Sequence, residues 1–231
     1  MNTLSADALN EQYQSLSAAE IVCAAIRDLF PARIGLVSSF GTESAVLLHM
    51  IARADRTTPV LFLDTLKHFD ETLKHRDRLI RRLRLEDVRT VRPATSDLVT
   101  GDPDGMLWSG NPDKCCDLRK TRPLAREVLR FNALFTGRKR HHGGGRGALE
   151  TFEDDGPRIK VNPLVRWTPA DVEAYMDRHG LPRHPLAGKG YPSVGCAVCT
   201  SPAGAGEGFR AGRWRGQGKI ECGIHKPLPP D

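Results

Sequence analysis

The sequence predicts an α/β fold in which helices cover a parallel sheet. Short apolar runs alternate with helical patterns along residues 34–161, and this order is typical of parallel strands with crossover helices. The length of 231 residues allows one large domain or two small ones. When its 22 glycines are added to the 39% of hydrophobic residues, the chain has enough apolar material to bury a core.

The first ninety residues predict a helical segment followed by alternating strands and helices. Ser17 and Glu20 form a capping-box pattern before an apolar helix face, and Pro31 ends that helix. Strands are predicted at residues 34–37, 60–63 and 88–91, and helices at residues 45–51 and 70–85.

The rest of the chain is less regular. A helix is predicted at residues 123–130, strands at 133–136 and 159–161, and a helix that begins after Thr168 and ends at Gly180. The basic, glycine-rich residues 137–147 are expected to form a mobile loop. We therefore expect an N-terminal helical segment (residues 1–30), an α/β domain (31–180), and an irregular, mobile C-terminal tail that packs on it (181–231).

The net charge of +6 favours an anionic ligand or nucleic acid. Binding of RNA through stacked bases predicts aromatic residues among the basic ones, but residues 138–146 contain no Phe, Tyr or Trp. This disfavours a zinc-bound RNA-binding module. The first residues lack a charged-then-apolar leader, and no apolar run approaches the ~18 residues that span a bilayer, so we expect a cytoplasmic protein without nucleic-acid or membrane partners.

A polar loop joins the first predicted strand to the next helix, over Ser38-Ser-Phe-Gly-Thr-Glu-Ser44. Small residues let backbone N–H groups approach a phosphate at a helix N-terminus. An ordinary turn rich in capping residues explains the same pattern equally well, and no Gly-Lys-Ser/Thr follows, so this is not a Walker motif. Asp64 and Thr65 end the second strand and are expected to lie beside this loop.

Four cysteines form two pairs, Cys115-Cys116 and Cys196-x-x-Cys199, which indicates a site with four thiolates. A zinc site is one interpretation, although zinc pairs usually have two to four residues between the cysteines. In a cubane iron–sulfur cluster neighbouring thiolates can bind different irons, and this favours a cluster. A redox disulfide between Cys196 and Cys199 is a third interpretation.

Near the C-terminus, Cys222 stands among Lys219, Glu221, His225 and Lys226. Cations beside a thiol favour the thiolate, the nucleophilic form, and an acidic neighbour opposes it. An incidental free thiol on a frayed end is the alternative. Further cations follow the cysteine pairs, and their placement suggests an anion held near a metal; they are Arg119, Lys120, Arg210 and Arg213.

Taken together, these motifs resemble the phosphosulfate reductases of assimilatory sulfate reduction. The motifs are Ser38–Ser44, Leu63-Asp-Thr65, Cys115-Cys-Asp-Leu-Arg-Lys120, Thr136-Gly-Arg-Lys-Arg140, Cys196-x-x-Cys199, Arg210-Ala-Gly-Arg-Trp214 and Glu221-Cys-Gly-Ile-His225. The match covers most of the chain, and its four paired cysteines are similar to the iron–sulfur branch, which reduces adenosine 5′-phosphosulfate. The resemblance implies a single domain of the adenine-nucleotide alpha-hydrolase-like, PP-loop type, with residues 31–180 binding the nucleotide.

The resemblance also implies residue roles and partners. Cys222 attacks the sulfate sulfur, AMP leaves, and thioredoxin releases sulfite from the cysteine adduct. One 4Fe–4S cluster, bound by Cys115, Cys116, Cys196 and Cys199, organises charge near the substrate instead of donating electrons, and Lys120 links the two. Relatives are usually homo-oligomers. The implied site residues are catalytic Cys222, His225 and Lys120, and substrate-binding Ser38, Ser39, Gly41, Thr42, Glu43, Ser44, Leu63, Asp64, Thr65, Arg119, Gly137, Arg138, Arg140, Arg210 and Arg213.

Three departures from the family pattern and two alternative activities accompany this hypothesis. Thr121-Arg122, after Lys120, stand where a Val-Glu pair is more usual. Leu66 stands where glycine is usual, and His141-His142 stand where an aromatic residue and a glutamine are common. Lys139 and Arg140 offer positive charge for a further phosphate, so reduction of the 3′-phosphorylated substrate, or of both substrates, is the alternative activity. An ATP-dependent thiolation enzyme of the same fold is the more distant alternative.

Overall fold

The computed structural model of this protein describes residues 5–143 and 145–225. Its strands are β1 (Ile34–Ser38), β2 (Val60–Leu63), β3 (Val88–Val91), β4 (Ala133–Phe135), β5 (Phe152–Asp155) and β6 (Arg158–Val161). They form one sheet in the order β3-β2-β1-β4-β6-β5, and every neighbouring pair is parallel except β5 with β6. The predicted α/β class with a parallel-dominated sheet is confirmed.

Helices precede, connect and follow the strands. They are α1 (Ala6–Tyr13), α2 (Ala18–Ala24), α3 (Ser44–Ala54), α4 (Asp70–Leu83), α5 (Thr95–Gly101), α6 (Leu107–Gly110), α7 (Pro112–Cys116), α8 (Arg122–Val128) and α9 (Pro169–Arg178). Single π-helical turns extend α2 at Ala25–Leu29 and join α7 to α8 at Asp117–Thr121. Among the described residues, no helix is both long enough and apolar enough to cross a membrane.

Local sequence patterns determine several boundaries. The capping boxes at Ser17 and Thr168 both form, with Glu20 and Asp171 bonded back to the cap backbone. Strands β2 and β3 have the predicted bounds, because β2 is a short apolar run between polar turns and β3 is rich in β-branched residues. The tail after Gly180 is irregular as expected, and its only described helical pieces are short 3₁₀ turns. Residues 1–4 and 226–231 of the expected N- and C-terminal parts lie outside the described residues.

The sequence analysis did not predict the antiparallel edge strand β5. Its sequence, Phe-Glu-Asp-Asp, lacks the apolar alternation that identifies a strand, and pairing with β6 forms it. The side chain of Asn10 on α1 covers the exposed edge: its amide donates to the Phe152 carbonyl at 2.8 Å and accepts from the Phe152 N–H at 2.9 Å. Helix α1 therefore replaces a further strand at this edge. The short helices α5, α6 and α7, which lie between turn residues, were likewise not predicted.

The central strands are buried on both faces, as expected of a parallel sheet. Phe62 and Phe135 face α2, α3 and α4 in one apolar cluster, whereas Leu61 and Leu134 face α8 in another. This alternation follows from the two-residue period of a strand. Each fully buried side chain of this size contributes about 1.5–3 kcal/mol.

The connections between strands reverse direction at β1. The chain moves from β1 to β2 and β3 on one side, and later returns to place β4 on the other side. In open α/β sheets, the crevice at such a reversal, beyond the carboxyl ends of the strands, is where ligands bind. The loops after β1 and β4, whose residues the sequence analysis singled out, meet at this point.

Two histidines are buried at 2% and 1% exposure between α4 and the segment that follows α9, and these are His75 and His184. The Leu186 N–H donates to His184 Nδ1, so Nε2 carries the proton and donates to Thr72 Oγ1 at 3.0 Å. Within residues 5–143 and 145–225, neither nitrogen of His75 has a hydrogen-bond partner. Burial lowers the pKa of each histidine to about 4, with His184 adding to the effect on His75 and Glu71 opposing it at His184.

We expect these histidines to make the fold sensitive to acid. Each has a lower pKa in the folded chain than in the unfolded chain, so its contribution to stability is complete above about pH 6.5 and is lost as the pH falls towards 4. At about pH 5 the loss is on the order of 2 kcal/mol per histidine. His75→Leu should therefore reduce the difference between the free energies of unfolding at about pH 7.5 and about pH 5, measured by urea denaturation. Equal differences for the variant and the wild type would contradict this prediction.

Candidate active site

A cavity of about 200 Å³ lies at the reversal point of the sheet. Its walls come from the loop after β1, the loop after β4, and the irregular tail. Most of the residues that the sequence analysis selected line it: Ser38, Ser39, Gly41, Thr42, Glu43, Ser44, Leu63, Lys120, Gly137, Arg138, Arg210, Arg213, Cys222 and His225. Tertiary structure thus brings together residues nearly two hundred positions apart.

The loop after β1 has an unusual backbone. Phe40 has a φ of 49°, in the left-handed region that non-glycine residues seldom adopt, at a cost of roughly 1–2 kcal/mol. Its ring is fully buried and packs edge-on against Phe62, and its N–H donates to Ser38 Oγ. Thr42 Oγ1 also donates to the Pro192 carbonyl at 2.6 Å, which ties the loop to the tail. These contacts hold the small residues of the loop open towards the cavity.

Lys139 is fully buried beneath this loop and lines the cavity with Glu43 and His142. Glu43 Oε2 accepts from Lys139 Nζ and from His142 Nε2, both at 2.8 Å. Burial alone would raise the pKa of Glu43, but His142 and Lys139 lower it to about 2. Burial lowers the pKa of His142 to about 4, and Arg146 donates to its Nδ1. The imidazole is therefore neutral, and the basic stretch here is packed and hydrogen-bonded where the sequence analysis expected a mobile loop.

Carboxylates balance most of the cations around the cavity. Arg138 pairs with Glu153, and Arg146 and Arg210 share Glu221, which lies 2.8 Å from Arg146 Nε and 3.5 Å from Arg210 Nη2. Burial lowers the pKa of Arg210 to about 10, and Glu221 opposes that shift.

Two cations that line the cavity, Lys120 and Arg213, have no carboxylate partner among the described residues. The guanidinium of Arg213 lies over Trp214, 4.4 Å from the ring centroid, and packs so closely on Gly195 that a Cβ there would overlap it. Burial would lower the pKa of Lys120, but Cys196, Cys222 and Cys116 raise it above its ordinary value. The site thus presents two cations that no described carboxylate neutralises.

The four paired cysteines line a second, smaller cavity. Three residues line both this cavity and the first one, and these are Lys120, Arg213 and Trp214. Cys115 and Cys116 end helix α7, while Cys196 and Cys199 flank a 3₁₀ turn. Backbone hydrogen bonds from Ala197 to Lys67 and from Trp214 to Cys199 hold this turn against the sheet and the tail. All six cysteines of the chain are free thiols.

The sulfur atoms of this cavity have unlike surroundings. Burial raises the pKa of Cys116 to about 11, more than Lys120 lowers it. At Cys196 burial also raises the pKa, but Lys120 and a 3.2 Å contact with Thr65 Oγ1 outweigh it and lower the pKa. Within the described part of the chain, no three of these sulfurs lie within 4.8 Å of one another. The indole Nε1 of Trp214 and the Nε of Arg213 are buried beside this cavity without a hydrogen-bond partner.

Cys222 lines the first cavity, but one of the cations expected beside it pairs with another residue. Lys219 pairs with Asp113, and Lys226 lies outside the described residues. Burial, with Arg138 and other cations, lowers the pKa of His225 well below its usual range, so its imidazole is neutral. Lys120 and Arg210 instead supply the positive charge that acts on Cys222.

Four of the substrate-binding residues selected from the sequence do not line the first cavity, and these are Asp64, Thr65, Arg119 and Arg140. Arg119 is buried, pairs with Asp102, and donates to the Thr65 carbonyl at 2.9 Å beside the cysteines. Asp64 pairs with Arg92. Arg140 pairs with Glu150 at the protein surface.

Several cavity residues were not selected from the sequence. They are Lys139, His142, Arg146, Phe209, Trp214 and Glu221. Lys139 and Arg146 belong to the basic stretch, and Glu221 and Trp214 stand inside motifs that the sequence analysis quoted. Their positions within these motifs were the only signal in the sequence that they belong to the site. Which of these four side chains faces the cavity depends on how the tail packs. His142 stacks on Phe209 at 4.5 Å, a contact between residues 67 positions apart that local sequence does not encode.

Comparison with known proteins identifies relatives of this chain. The phosphoadenosine phosphosulfate reductase domain model matches residues 33–202. A protein of Mesorhizobium japonicum named adenosine 5′-phosphosulfate reductase is 50% identical over 94% of this chain and 85% of its own length. A protein of the same name from Chelativorans sp. is 48% identical over 95% of this chain and 90% of its own length. The crystal structure of phosphoadenylyl-sulfate reductase from Candida auris, a phosphate complex, has a TM-score of 0.72 at 28% identity and covers 86% of this chain and 96% of its own.

Proposed function

Because this chain belongs to the phosphoadenosine phosphosulfate reductase family, we propose that it reduces adenosine 5′-phosphosulfate to sulfite and AMP. This reaction serves assimilatory sulfate reduction and cysteine biosynthesis. The observation that carries the proposal is the first cavity, where a thiol, Cys222, lies beside a small-residue loop and the unpaired cations Lys120 and Arg213.

The two ends of the substrate bind in different parts of the cavity. The adenosine and its phosphate bind to the loop after β1, through Ser38, Ser39, Gly41, Thr42 and Ser44, with Leu63, Glu43, Gly137 and Arg138 alongside. The sulfate end faces Lys120, Arg213 and Arg210, whose charges stabilise the negative charge that grows in the reaction. Asp64, Thr65, Arg119 and Arg140 support the surrounding structure through the contacts described above.

In the first half-reaction, the Cys222 thiolate attacks the sulfur of the sulfate group. A bond forms between Cys222 Sγ and that sulfur, the bond from sulfur to the bridging oxygen breaks, and AMP leaves with the electron pair. The product on the enzyme is an S-sulfocysteine. Neutral His225 donates a hydrogen bond to the phosphosulfate without adding charge, and Lys120 attracts both the thiolate and the substrate.

In the second half-reaction, thioredoxin supplies two electrons as a dithiol. One thiolate attacks Cys222 Sγ, and sulfite leaves with the electron pair of the broken S–S bond. The second thiol resolves the mixed disulfide, which restores Cys222 and leaves oxidised thioredoxin. Such thiol chemistry suits the reducing cytoplasm, where we place the protein. Assembly into a homo-oligomer stays a prediction.

Cys115, Cys116, Cys196 and Cys199 would hold one 4Fe–4S cluster. Four thiols around one cavity are the donor set of such a cluster. Zinc sites usually have two to four residues between paired cysteines, so the adjacent pair Cys115-Cys116 supports the cluster over zinc. The unpartnered N–H groups of Trp214 and Arg213 are suited to donate to its sulfurs. When bound, the cluster supplies charge beside the substrate, and Lys120 lies between the two sites.

The 3′-phosphorylated substrate is the alternative, and the contacts of two cations disfavour it. Lys139 and Arg140, the residues expected to meet a further phosphate, are already paired with Glu43 and Glu150. The 3′-phosphate would therefore have no unpaired cation to bind at these two positions.

We expect wild-type enzyme to discriminate between the two substrates. With both phosphosulfates present at equal concentration, adenosine 5′-phosphosulfate should be consumed at least about tenfold faster, since each tenfold ratio needs only about 1.4 kcal/mol of differential binding. The measurement is the ratio of AMP to its 3′-phosphorylated counterpart in the products. Equal consumption would show that the enzyme uses both substrates, and reversed consumption would assign it to the 3′-phosphorylated one.

Replacing the nucleophile should abolish turnover without disturbing the cluster. We expect Cys222→Ser to release no sulfite and to form no sulfo adduct, because the serine hydroxyl is not ionised near neutral pH. Its visible absorbance should equal that of the wild type. Cys23→Ser, which changes a free thiol on α2, is the matched control and should keep full activity. Wild-type turnover by Cys222→Ser would show that another group is the nucleophile.

Metal analysis of anaerobically purified protein tests the cofactor. We expect about four irons and about four acid-labile sulfides per chain. Cys116→Ser and Cys199→Ser should each lose iron and lower the thermal stability, because binding of the group is coupled to folding. Cys23→Ser should retain both iron and stability. A content of one zinc per chain without acid-labile sulfide would show that the four cysteines form a zinc site and not a cluster.

A further inference from the structure

The residue before the proposed nucleophile, Glu221, has no role in the reaction as proposed, yet it makes strong contacts in the cavity. Its Oε1 accepts from Arg146 Nε at 2.8 Å, and its Oε2 lies 3.5 Å from Arg210 Nη2. Arg210 also donates to the carbonyl of Ile220 at 2.9 Å. Two cavity arginines therefore hold the residues that immediately precede Cys222.

Other contacts hold the same segment less firmly. We define the Cys222 arm as residues 219–225. Lys219 pairs with Asp113, whose side chain is 83% exposed, so water and salt screen that pair. Lys160 Nζ donates to the carbonyl of His225 at 3.0 Å, a bond to a neutral acceptor.

The Glu221 pair differs from these in its burial. Its side chain is 27% exposed, and that of its partner Arg146 only 8%. Charges attract more strongly where water is excluded, and charge-assisted hydrogen bonds are stronger than neutral ones. Of the described ion pairs that hold the arm, Glu221 with Arg146 is thus the one in which both side chains are largely buried, since Lys219 is 7% exposed but its partner Asp113 is 83% exposed. Glu221 is also adjacent to Cys222 in sequence.

The two half-reactions place opposite demands on the arm. Sγ must lie inside the cavity to attack the substrate, but it must reach the outside to meet a protein dithiol. Cys222 is only partly exposed in this structure. The arm must therefore be held for the first step and released for the second.

We propose that Glu221 is the latch of the Cys222 arm: its carboxylate, held by Arg146 and Arg210, keeps the nucleophile in the cavity, and release of this pair exposes Cys222. Glu221 is a positioning residue, since it acts through the arm and does not touch the reacting atoms. The requirement for release rests on the proposed function, but the closed position of the arm does not.

The direct test is the rate at which iodoacetamide alkylates Cys222 in the substrate-free holoenzyme, followed by mass spectrometry of its peptide. Glu221→Gln keeps the shape of the side chain and removes its charge, so alkylation should become about tenfold faster. The matched control is Glu207→Gln, which removes an exposed ion pair with Arg215 elsewhere in the C-terminal tail, outside the Cys222 arm. This variant should leave the alkylation rate unchanged. An unchanged rate for Glu221→Gln would overturn the latch.

The two half-reactions, measured separately, distinguish a latch from general loosening of the tail. In Glu221→Gln, formation of the S-sulfocysteine in a single turnover should slow, while reduction of the preformed adduct by thioredoxin should quicken. Slowing of both steps would contradict the proposal. If no adduct forms even in the wild type, the proposed function fails, whereas the alkylation result still decides whether Glu221 holds the arm.

A double-mutant cycle checks the partner. Arg146→Gln should accelerate alkylation of Cys222, and the double variant should react no faster than Glu221→Gln alone, because Arg146 acts through Glu221. Multiplied effects in the double variant would show that the two residues act independently, which the proposal forbids.

Discussion

The site depends on electrostatic balance. Six lysines and arginines line one cavity of about 200 Å³, and like charges at such distances repel strongly where little water screens them. The fold reduces this cost by placing one carboxylate against Lys139, one against Arg138, and one between Arg146 and Arg210. Lys120 and Arg213 remain without a carboxylate among the described residues, and an anionic ligand would complete the balance.

Aromatic packing and a glycine hold these two unpaired cations in position. Trp214 is buried in a left-handed backbone conformation and lies beneath Arg213 and Arg210. Gly195 provides the flat surface on which the guanidinium of Arg213 packs. Because Gly195 directly precedes Cys196, the backbone that positions a thiol of the second cavity also positions a cation of the first. The two cavities are therefore one structural unit.

The limits of the sequence-based predictions have physical causes. Strands β2 and β3 were predicted to the residue, and the capping box at Ser17 and the N-cap at Thr168 formed as predicted, because short-range hydrogen bonds and local residue patterns determine them. Strand β5 was missed because partners far away in sequence, β6 and Asn10, form it. The stretch 137–147 was expected to be mobile because its composition is polar, but buried contacts with Glu43 and Glu221 order its described residues.

The sequence by itself determined the fold class, the family, and which residues to examine: the loop at Ser38–Ser44, the paired cysteines and Cys222 all follow from residue types at short spacing. Only the tertiary structure decided which charges are free. The sequence shows which side chains are charged. The charge available to a ligand is that of the cations that do not form an ion pair with a carboxylate in the folded chain. That pairing joins Lys139 to Glu43 and Arg146 to Glu221 across 96 and 75 positions, so only the folded chain determines it.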